Sequence, residues 1–513
     1  MKLFAASVAG ILGVAAAIHY HQLGLTLSHY DARGHLIVAR RIIDSITPGW
    51  QQIGAVWLPL PHLLNMLPVQ VDAFYRSGAS AVAISVLSFV IATAAIAWLV
   101  QLLTDSKPAA LAATAVFALN PNVVYLQATP MTEPLLLGLT TLGVVMLIEH
   151  SVGRSFKGRV DGGPKRTALA VGIVLALACL TRYEAWPVTY VALAAAVWTR
   201  WRNNDSLTAA VRAVLRVAVY PTAAILAFSL FSRVVVGQWF VSSDFFVPEN
   251  KAQGLPLVAI KEIVWGTREL SGQVLTVLGV IGCLALLLAG LFMRKRAAGM
   301  IALSLGATAA VPWAAFIDGH PFRIRYMVPL IALEAVAIGA LIDFVGRPFQ
   351  DRLIGGPKRA APQMVVAAIC VLVALYELHP FDRNAPMVVE AQWDLVNQAP
   401  RRQVTQCLQA KYRGESVMAS MGSLGHYMQE AARDGFNVRD FLHEGNGDIW
   451  LAALDSPHIY AGWIMMEEKA EGGDMLYKRA REHPDFLRGY SRVCEGAGLA
   501  LYERQKRISN VNR

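Results

Sequence analysis

The sequence predicts an α-helical polytopic membrane protein with about eleven transmembrane helices. An interfacial helix in the first outer loop and a small C-terminal α/β domain outside the membrane complete the expected fold. Three observations carry that prediction. Hydrophobic residues make up 55% of the 513 residues, charged residues only 16%, and the mean hydropathy is +0.44, which excludes an ordinary soluble globule. Apolar runs near the length that crosses a bilayer, roughly 17–25 residues, recur along most of the chain. From His379 onward the charge rises and the long apolar runs stop.

The first expected span covers residues 3–20, with Lys2 before it; Ala15 and Ala17 imitate a signal-peptidase site, but a retained anchor is the reading adopted. Spans follow over 79–103, 109–126, 134–150, 167–180 and 185–198, then over 217–236, 273–292, 300–317, 326–345 and 363–378. Parity supports this set. With the N-terminus inside, the arginine-rich loops around Arg154, Arg159 and Lys165, around Arg200 to Arg216, at Arg294-Lys295-Arg296 and from Arg347 to Arg359 all fall on the cytoplasmic side. The loops bearing Asp31, Glu133, Glu184, Asp244 and Arg323 fall on the other. The net charge of +10 is spent on topology in this way and does not point to nucleic acid. No GxxxxGK[ST] loop, GxGxxG turn or DxD pair is present.

Two domains are expected, 1–378 in the membrane and 379–513 outside it. In the second, Val417 to Met421, Ile459 to Glu467 and Leu499 to Glu503 read as strands, and His426 to Arg433 and Asp474 to His483 as helices. The turn from Met421 to Gly425 offers backbone N–H groups of the kind that hold anions, although glycine turns are common without that role. Cys179, Cys283 and Cys370 lie in apolar runs and read as packing residues. Cys407 and Cys494 read equally well as a disulfide or as two thiols.

The chemistry concentrates in residues 28–68. Leu36, Ala39, Ile43 and Ile46 recur at helical spacing there, and Arg40 and Asp44 stand at i,i+4, as in an amphipathic helix lying in the interface. Asp31 and Gly34 begin that helix. Asp31 is the candidate catalytic carboxylate, against the alternative of a helix N-cap. Its neighbours His29, Tyr30, Arg33 and His35 are unusually polar for a cap alone. Glu133, between Pro130 and Pro134, is a second candidate, for the acceptor or for a divalent ion held with Asp31; Thr132 capping is its structural alternative. Arg182, Tyr183 and Glu184 occupy a short outer hairpin; Arg182 is a further candidate for binding the lipid phosphate of the substrate, and Arg182 and Glu184 also suit a structural pair. His320, Arg323, Arg325 and Tyr326 form a cationic group before a late span. Arginines at i and i+2 on the outer side suit a lipid phosphate better than the usual snorkelling. Trp57 and His62, in WLPLPH, are expected to line an apolar groove. Glu334 lies inside a span, where a charge is costly and usually functional.

An outward-facing sugar transferase has to use a donor that has crossed the membrane, and a polyprenyl-phosphate sugar meets that need. Inversion at its anomeric carbon takes a carboxylate on one side and cations for the departing phosphate on the other. The first-loop aspartate, the helix after it, the ATPMTEP turn and the outer R-x-R-Y together resemble the GT-C glycosyltransferases. The closest similarity is to the branch of protein O-mannosyltransferases and lipid A aminoarabinose transferases. The resemblance covers roughly residues 3–378. It implies that Asp31 is the catalytic carboxylate, that the donor is a polyprenyl- or dolichyl-phosphate sugar, and that a glycan, lipid or protein hydroxyl accepts. Ala32 departs from the second acidic residue that many members carry after the aspartate, which puts an identical acceptor or metal arrangement in question. A transporter or flippase for a lipid-linked sugar, with Glu334 as its charge, and a non-catalytic envelope-assembly protein are the rival readings. No repeated halves or paired broken helices favour the transporter.

Overall fold

The computed structural model describes residues 1–152, 164–235, 237, 239, 250–346, 360–421, 425–468 and 473–505. Arg154, Lys157, Arg159, Asp244, the loop 347–359 and Gly422 to Leu424 of the glycine turn lie outside these residues. The protein is a mostly helical, multi-pass membrane protein. Among the described residues seven helices are long and apolar enough to cross a bilayer: Lys2–Gln22, Ala79–Thr104, Glu133–Val152, Leu207–Val235, Gln273–Phe292, Gly299–Ile317 and Ile324–Val345. Three shorter apolar helices, Lys107–Ala118, Thr167–Cys179 and Pro362–Glu377, and the helix Ala185–Arg202 stand where the other four spans are expected.

Two segments differ from expectation for identifiable reasons. Residues 109–126 are broken at Asn120, whose side chain accepts from the backbone N–H groups of Asn122 and Val123, with Pro121 opening a new helix Pro121–Leu126. The stretch 237–271 contains a helix, Pro256–Ser271, rather than a loop throughout. Lys261, Glu262, Arg268 and Glu269 interrupt its hydropathy, yet Ala259, Ile263, Gly266 and Leu270 form one buried stripe.

Close helix contact is set by small residues. Gln273–Phe292 packs along Leu330–Val345, and a Cβ built on Gly282 would lie 2.2 Å from the Ala337 carbonyl oxygen. Gly282→Ala is therefore expected to push the two helices apart and lower the thermal midpoint of the purified protein, at a cost of about 1–3 kcal/mol. A melt unchanged from wild type would show that the two backbones are not in contact.

After Glu377 the chain does not leave the helical body at once. Ala385, Met387, Val388 and Ala391 join its core, and the Met387 N–H donates to the Asn122 side chain at 3.0 Å. Beyond lies a five-stranded sheet in the order β2-β1-β3-β5-β4, from β1 Val417–Ala419, β2 Phe441–Leu442, β3 Trp463–Glu467, β4 Tyr490–Gly496 and β5 Leu499–Arg504. β1 pairs parallel with β2 and β3, while β5 runs antiparallel to β3 and β4. β2 and β4 are absent from the sequence prediction: the first is two residues long, and the second alternates too weakly in burial to stand out. Cys407, on the helix Leu395–Lys411, and Cys494, on β4, form a disulfide.

Candidate functional site

Residues 30–41 form a helix within the stretch where one is expected. Every residue from Asp31 to Arg40 is buried, and the helix is held between the membrane helices and the C-terminal sheet layer. Of the residues at the expected spacing, Leu36 and Ala39 lie on the helix and are covered by protein, whereas Ile43 and Ile46 fall after its end and Ile43 is exposed. Arg40 pairs with Asp44 at 2.7 Å as its spacing predicts, and also with Asp72 at 2.7 Å. The N-cap is His29, whose Nδ1 accepts from the Asp31 N–H at 3.2 Å. Asp31 therefore sits in the first turn, and its carboxylate is released from capping to face the site.

There Asp31 forms an ion pair with Arg325. The two residues are 294 positions apart, and the helix packing brings them into one buried centre. Arg325 Nη1 also lies 3.5 Å from His29 Nε2, and the same His29 nitrogen lies 3.4 Å from Glu390 Oε1. Burial pushes the His29 imidazole below its usual pKa despite the opposing pull of Glu390. Burial alone would raise Glu390, but the His29 hydrogen bond and the charges of Arg325 and Arg323 hold it below the usual carboxylate range. Glu390 is the member of this centre that sequence reasoning missed. It stands in Pro386–Gln392, a short amphipathic helix after the last apolar run, with no motif to mark it.

A second charged group adjoins. Arg182 pairs with Glu133 at 3.0 Å and Glu184 at 2.8 Å, and donates to the Thr132 hydroxyl at 2.9 Å. Burial opposes the charge on Arg182, but Glu133 and Glu184 outweigh it and hold the guanidinium above its usual range. Arg182 and Glu184 are thus a structural pair and Glu133 is drawn into it. The two groups share one electrostatic field: Glu133 acts on His29, and Tyr326 on Arg182. Tyr326 carries Arg325 over its ring at 5.5 Å and lies 3.4 Å from His320. All four residues of the expected cationic group therefore border this centre, with Arg325 at its middle.

Trp57 and His62 meet His35. The Trp57 and His35 rings are 4.0 Å apart by centroid, and His35 Nδ1 lies 3.1 Å from His62 Nε2. With Pro61, Asn65, Ser85 and Met131, the two histidines line a cavity of about 20 Å³. That space holds about one water. Burial pushes His62 down to about 3 and holds His35 well below its usual value, so both rings are neutral. In the unfolded chain they take up protons near pH 6.5. Between that pH and about 3 the unfolded state binds more protons, so stability falls as pH falls. Melts of the purified protein are expected to show that loss below pH 6.5, with a smaller slope in His62→Gln; equal slopes would show that the ring protonates freely in the fold.

Among the described residues no group of three or more His, Cys, Asp or Glu side chains is arranged to hold a metal. Asp31 and Glu133, the pair expected for a divalent ion, each face an arginine.

Behind the centre, Arg33 on the same helix as Asp31 reaches Asp394 at 3.0 Å and Glu430 at 2.7 Å. Arg401 binds the same two carboxylates at 2.5 and 2.8 Å. Two cations and two anions thus alternate in a buried ring that locks the Asp31 helix to the C-terminal layer.

This arrangement of membrane helices, with an Asp-bearing helix after the first span and a C-terminal α/β layer, is a fold shared with solved integral-membrane structures. The family model described as dolichyl-phosphate-mannose-protein mannosyltransferase matches residues 69–244. Among solved structures, ArnT from Cupriavidus metallidurans bound to undecaprenyl phosphate superposes with a TM-score of 0.59 at 12% identity, over 96% of this chain and 97% of that one. The Archaeoglobus fulgidus oligosaccharyltransferase tethered to an acceptor peptide gives 0.51 at 12% identity, over 97% of this chain and 74% of that one. No curated protein matches the sequence.

Proposed function

We propose that the protein is an inverting glycosyltransferase that moves a monosaccharide from a polyprenyl-phosphate donor to an acceptor hydroxyl on a cell-envelope glycan, lipid or protein. The observation that carries this is the Asp31–Arg325 pair. One group is the base that an acceptor hydroxyl needs, the other the cation that a departing phosphate needs, and they touch. With no substrate each neutralises the other. A donor phosphate competes for Arg325, with Arg323 and His320 beside it, and its arrival frees the Asp31 carboxylate to take the acceptor proton. The base is thereby engaged only when a donor is present. His29 and Glu390 hold Arg325 from behind, and Glu133 positions the acceptor by way of Arg182. Trp57 and His62 border the donor path.

The neighbours support the donor class, because the Cupriavidus metallidurans structure holds undecaprenyl phosphate and one Archaeoglobus fulgidus structure holds a dolichol-phosphate. The Cys407–Cys494 disulfide supports an extracytoplasmic C-terminal layer, since disulfides persist in oxidising compartments. With the loop charges, it favours a plasma membrane location with a cytoplasmic N-terminus. The C-terminal layer, 379–513, covers the site and selects the acceptor. Purified protein given labelled polyprenyl-phosphate sugars and candidate acceptors is expected to form a glycosidic bond with inverted configuration. Retained configuration, or donor crossing a vesicle with no new bond, would overturn the proposal.

A further inference from the structure

Three helices that carry the Asp31 site at one end meet a second cavity at the other. Ala79–Thr104 presents Ser85 to the first cavity and Leu102 to the second; Glu133–Val152 presents Glu133 to the site and Ile148 to the second cavity. Arg325 precedes the helix Leu330–Val345, whose Phe344 lines the same far cavity. At about 1.5 Å per residue these helices separate the two by roughly the thickness of a bilayer core. The second cavity has a volume of about 290 Å³ and belongs to no part of the transfer chemistry.

Its lining is apolar on one side and cationic on another, with Thr104 and Asn203 adding uncharged polar groups. Leu102, Ile148, Leu286 and Ala289 make an apolar side, and Lys295 and Arg296 a cationic one. The apolar side continues outward along Gln273–Phe292, whose Leu284, Leu288 and Phe292 are exposed where lipid chains would lie. Arg296 is anchored by the buried Asp343 at 3.4 Å, and Asp343 also accepts from Gln363 at 3.0 Å. Asp343 thus offsets one cation, and Lys295 pairs with no carboxylate among the described residues. A soluble anion would leave the apolar wall unused, and a neutral lipid would leave Lys295 uncompensated. We infer that this cavity binds an acidic glycerophospholipid, its phosphate on Lys295 and Arg296 and an acyl chain along Leu286 and Ala289. Basic pockets between membrane helices on the face rich in lysine and arginine are suited to such headgroups.

Native mass spectrometry of the full chain, stripped of lipid in detergent and titrated with phosphatidylglycerol or phosphatidylcholine, tests this. Phosphatidylglycerol is expected to bind in preference, and about ten-fold more weakly to Lys295→Ala, the effect of losing one charge-assisted contact. Ala289→Phe, which fills the apolar side, is expected to weaken it similarly. Arg294→Ala, next in sequence but outside the cavity lining, is expected to change binding less than about two-fold, because its charge does not face the cavity. Asp31→Asn is expected to bind as wild type does. Equal binding of phosphatidylcholine, an Arg294→Ala loss as large as that of Lys295→Ala, or stronger binding of undecaprenyl phosphate in the same cavity would each overturn the inference. Lys295 is exposed, so its variant is expected to fold.

Discussion

Asp31→Asn is expected to reduce sugar transfer by about a hundred- to ten-thousand-fold, the range that a positioned general base supplies. The substitution keeps the shape of the side chain and removes its charge and basicity. Arg325 then loses its direct partner but keeps His29 at 3.5 Å and the charge of Glu390, so the centre is not left with an isolated cation. Donor binding should therefore survive, and tighten if phosphate and Asp31 compete for one guanidinium. Isothermal titration with polyprenyl phosphate checks that part, and transfer of labelled sugar checks the rate. A variant that still transfers at the wild-type rate would remove Asp31 from the chemistry. One that loses transfer and donor binding together would make Asp31 a structural partner of Arg325.

Arg401→Ala is expected to produce the largest loss of stability, about 3–5 kcal/mol, as when one member of a buried ion network is removed. Arg401 is 1% exposed and holds Asp394 and Glu430 at once. Without it, the buried Glu430 and the half-buried Asp394 share Arg33 alone. Burial would raise Asp394, but the hydrogen bond and charge of Arg401, with the charge of Arg33, hold it far below the usual carboxylate range. Because its folded pKa is depressed, Asp394 contributes stability above its unfolded value near 4 and loses it as pH falls below that. Thermal melts in detergent should show the midpoint of Arg401→Ala well below wild type. Arg401→Lys should recover only part of the loss, since an ammonium cannot bridge two carboxylates as a planar fork does. A midpoint equal to wild type would show the ring to be solvated and dispensable. Arg33 is on the Asp31 helix, so the damaged ring should also lower transfer.

Much of this was written in local pattern. Apolar runs marked most helical segments of the membrane part, because a bilayer leaves few alternatives to a helix. Asp31, Arg325 and Arg182 stood out as charges at the mouths of spans, and the structure brings Asp31 and Arg325 together. What local pattern did not carry was the covering layer. Periodicity in the Asp31 helix shows that one face needs burial without saying whether lipid or protein buries it, and the answer lay in Glu430, Arg401 and Tyr427, about 400 residues later. Glu390 was invisible for the same reason. A single carboxylate in a seven-residue helix has no period, and only its partner His29 gives it meaning. Pro256–Ser271 shows the converse: four charged residues hid a helix from a hydropathy criterion, although its buried stripe was regular.

The fold also explains why the site is placed where it is. The helix Tyr30–Arg41 is clamped on one side by the Arg33 ring and on the other by Arg40, which binds Asp44, Asp72 and Asn437. Asp31 rides on a rigid, fully enclosed element, while Arg325 occupies a short 3-10 turn, Ile324–Met327, at the mouth of its helix. A base on an enclosed helix beside a cation on a turn fits the proposed exchange, in which phosphate takes the cation and the Asp31 side chain turns away from it.

The most direct test is a structure of the protein with a non-transferable polyprenyl-phosphonate sugar. The phosphonate is expected within hydrogen-bond reach, about 3 Å, of Arg325, with Asp31 detached from that arginine and turned to the open side of the anomeric carbon. A phosphonate seated elsewhere, at the Lys295 end of the helices or apart from Arg325, with the Asp31–Arg325 pair intact, would contradict it.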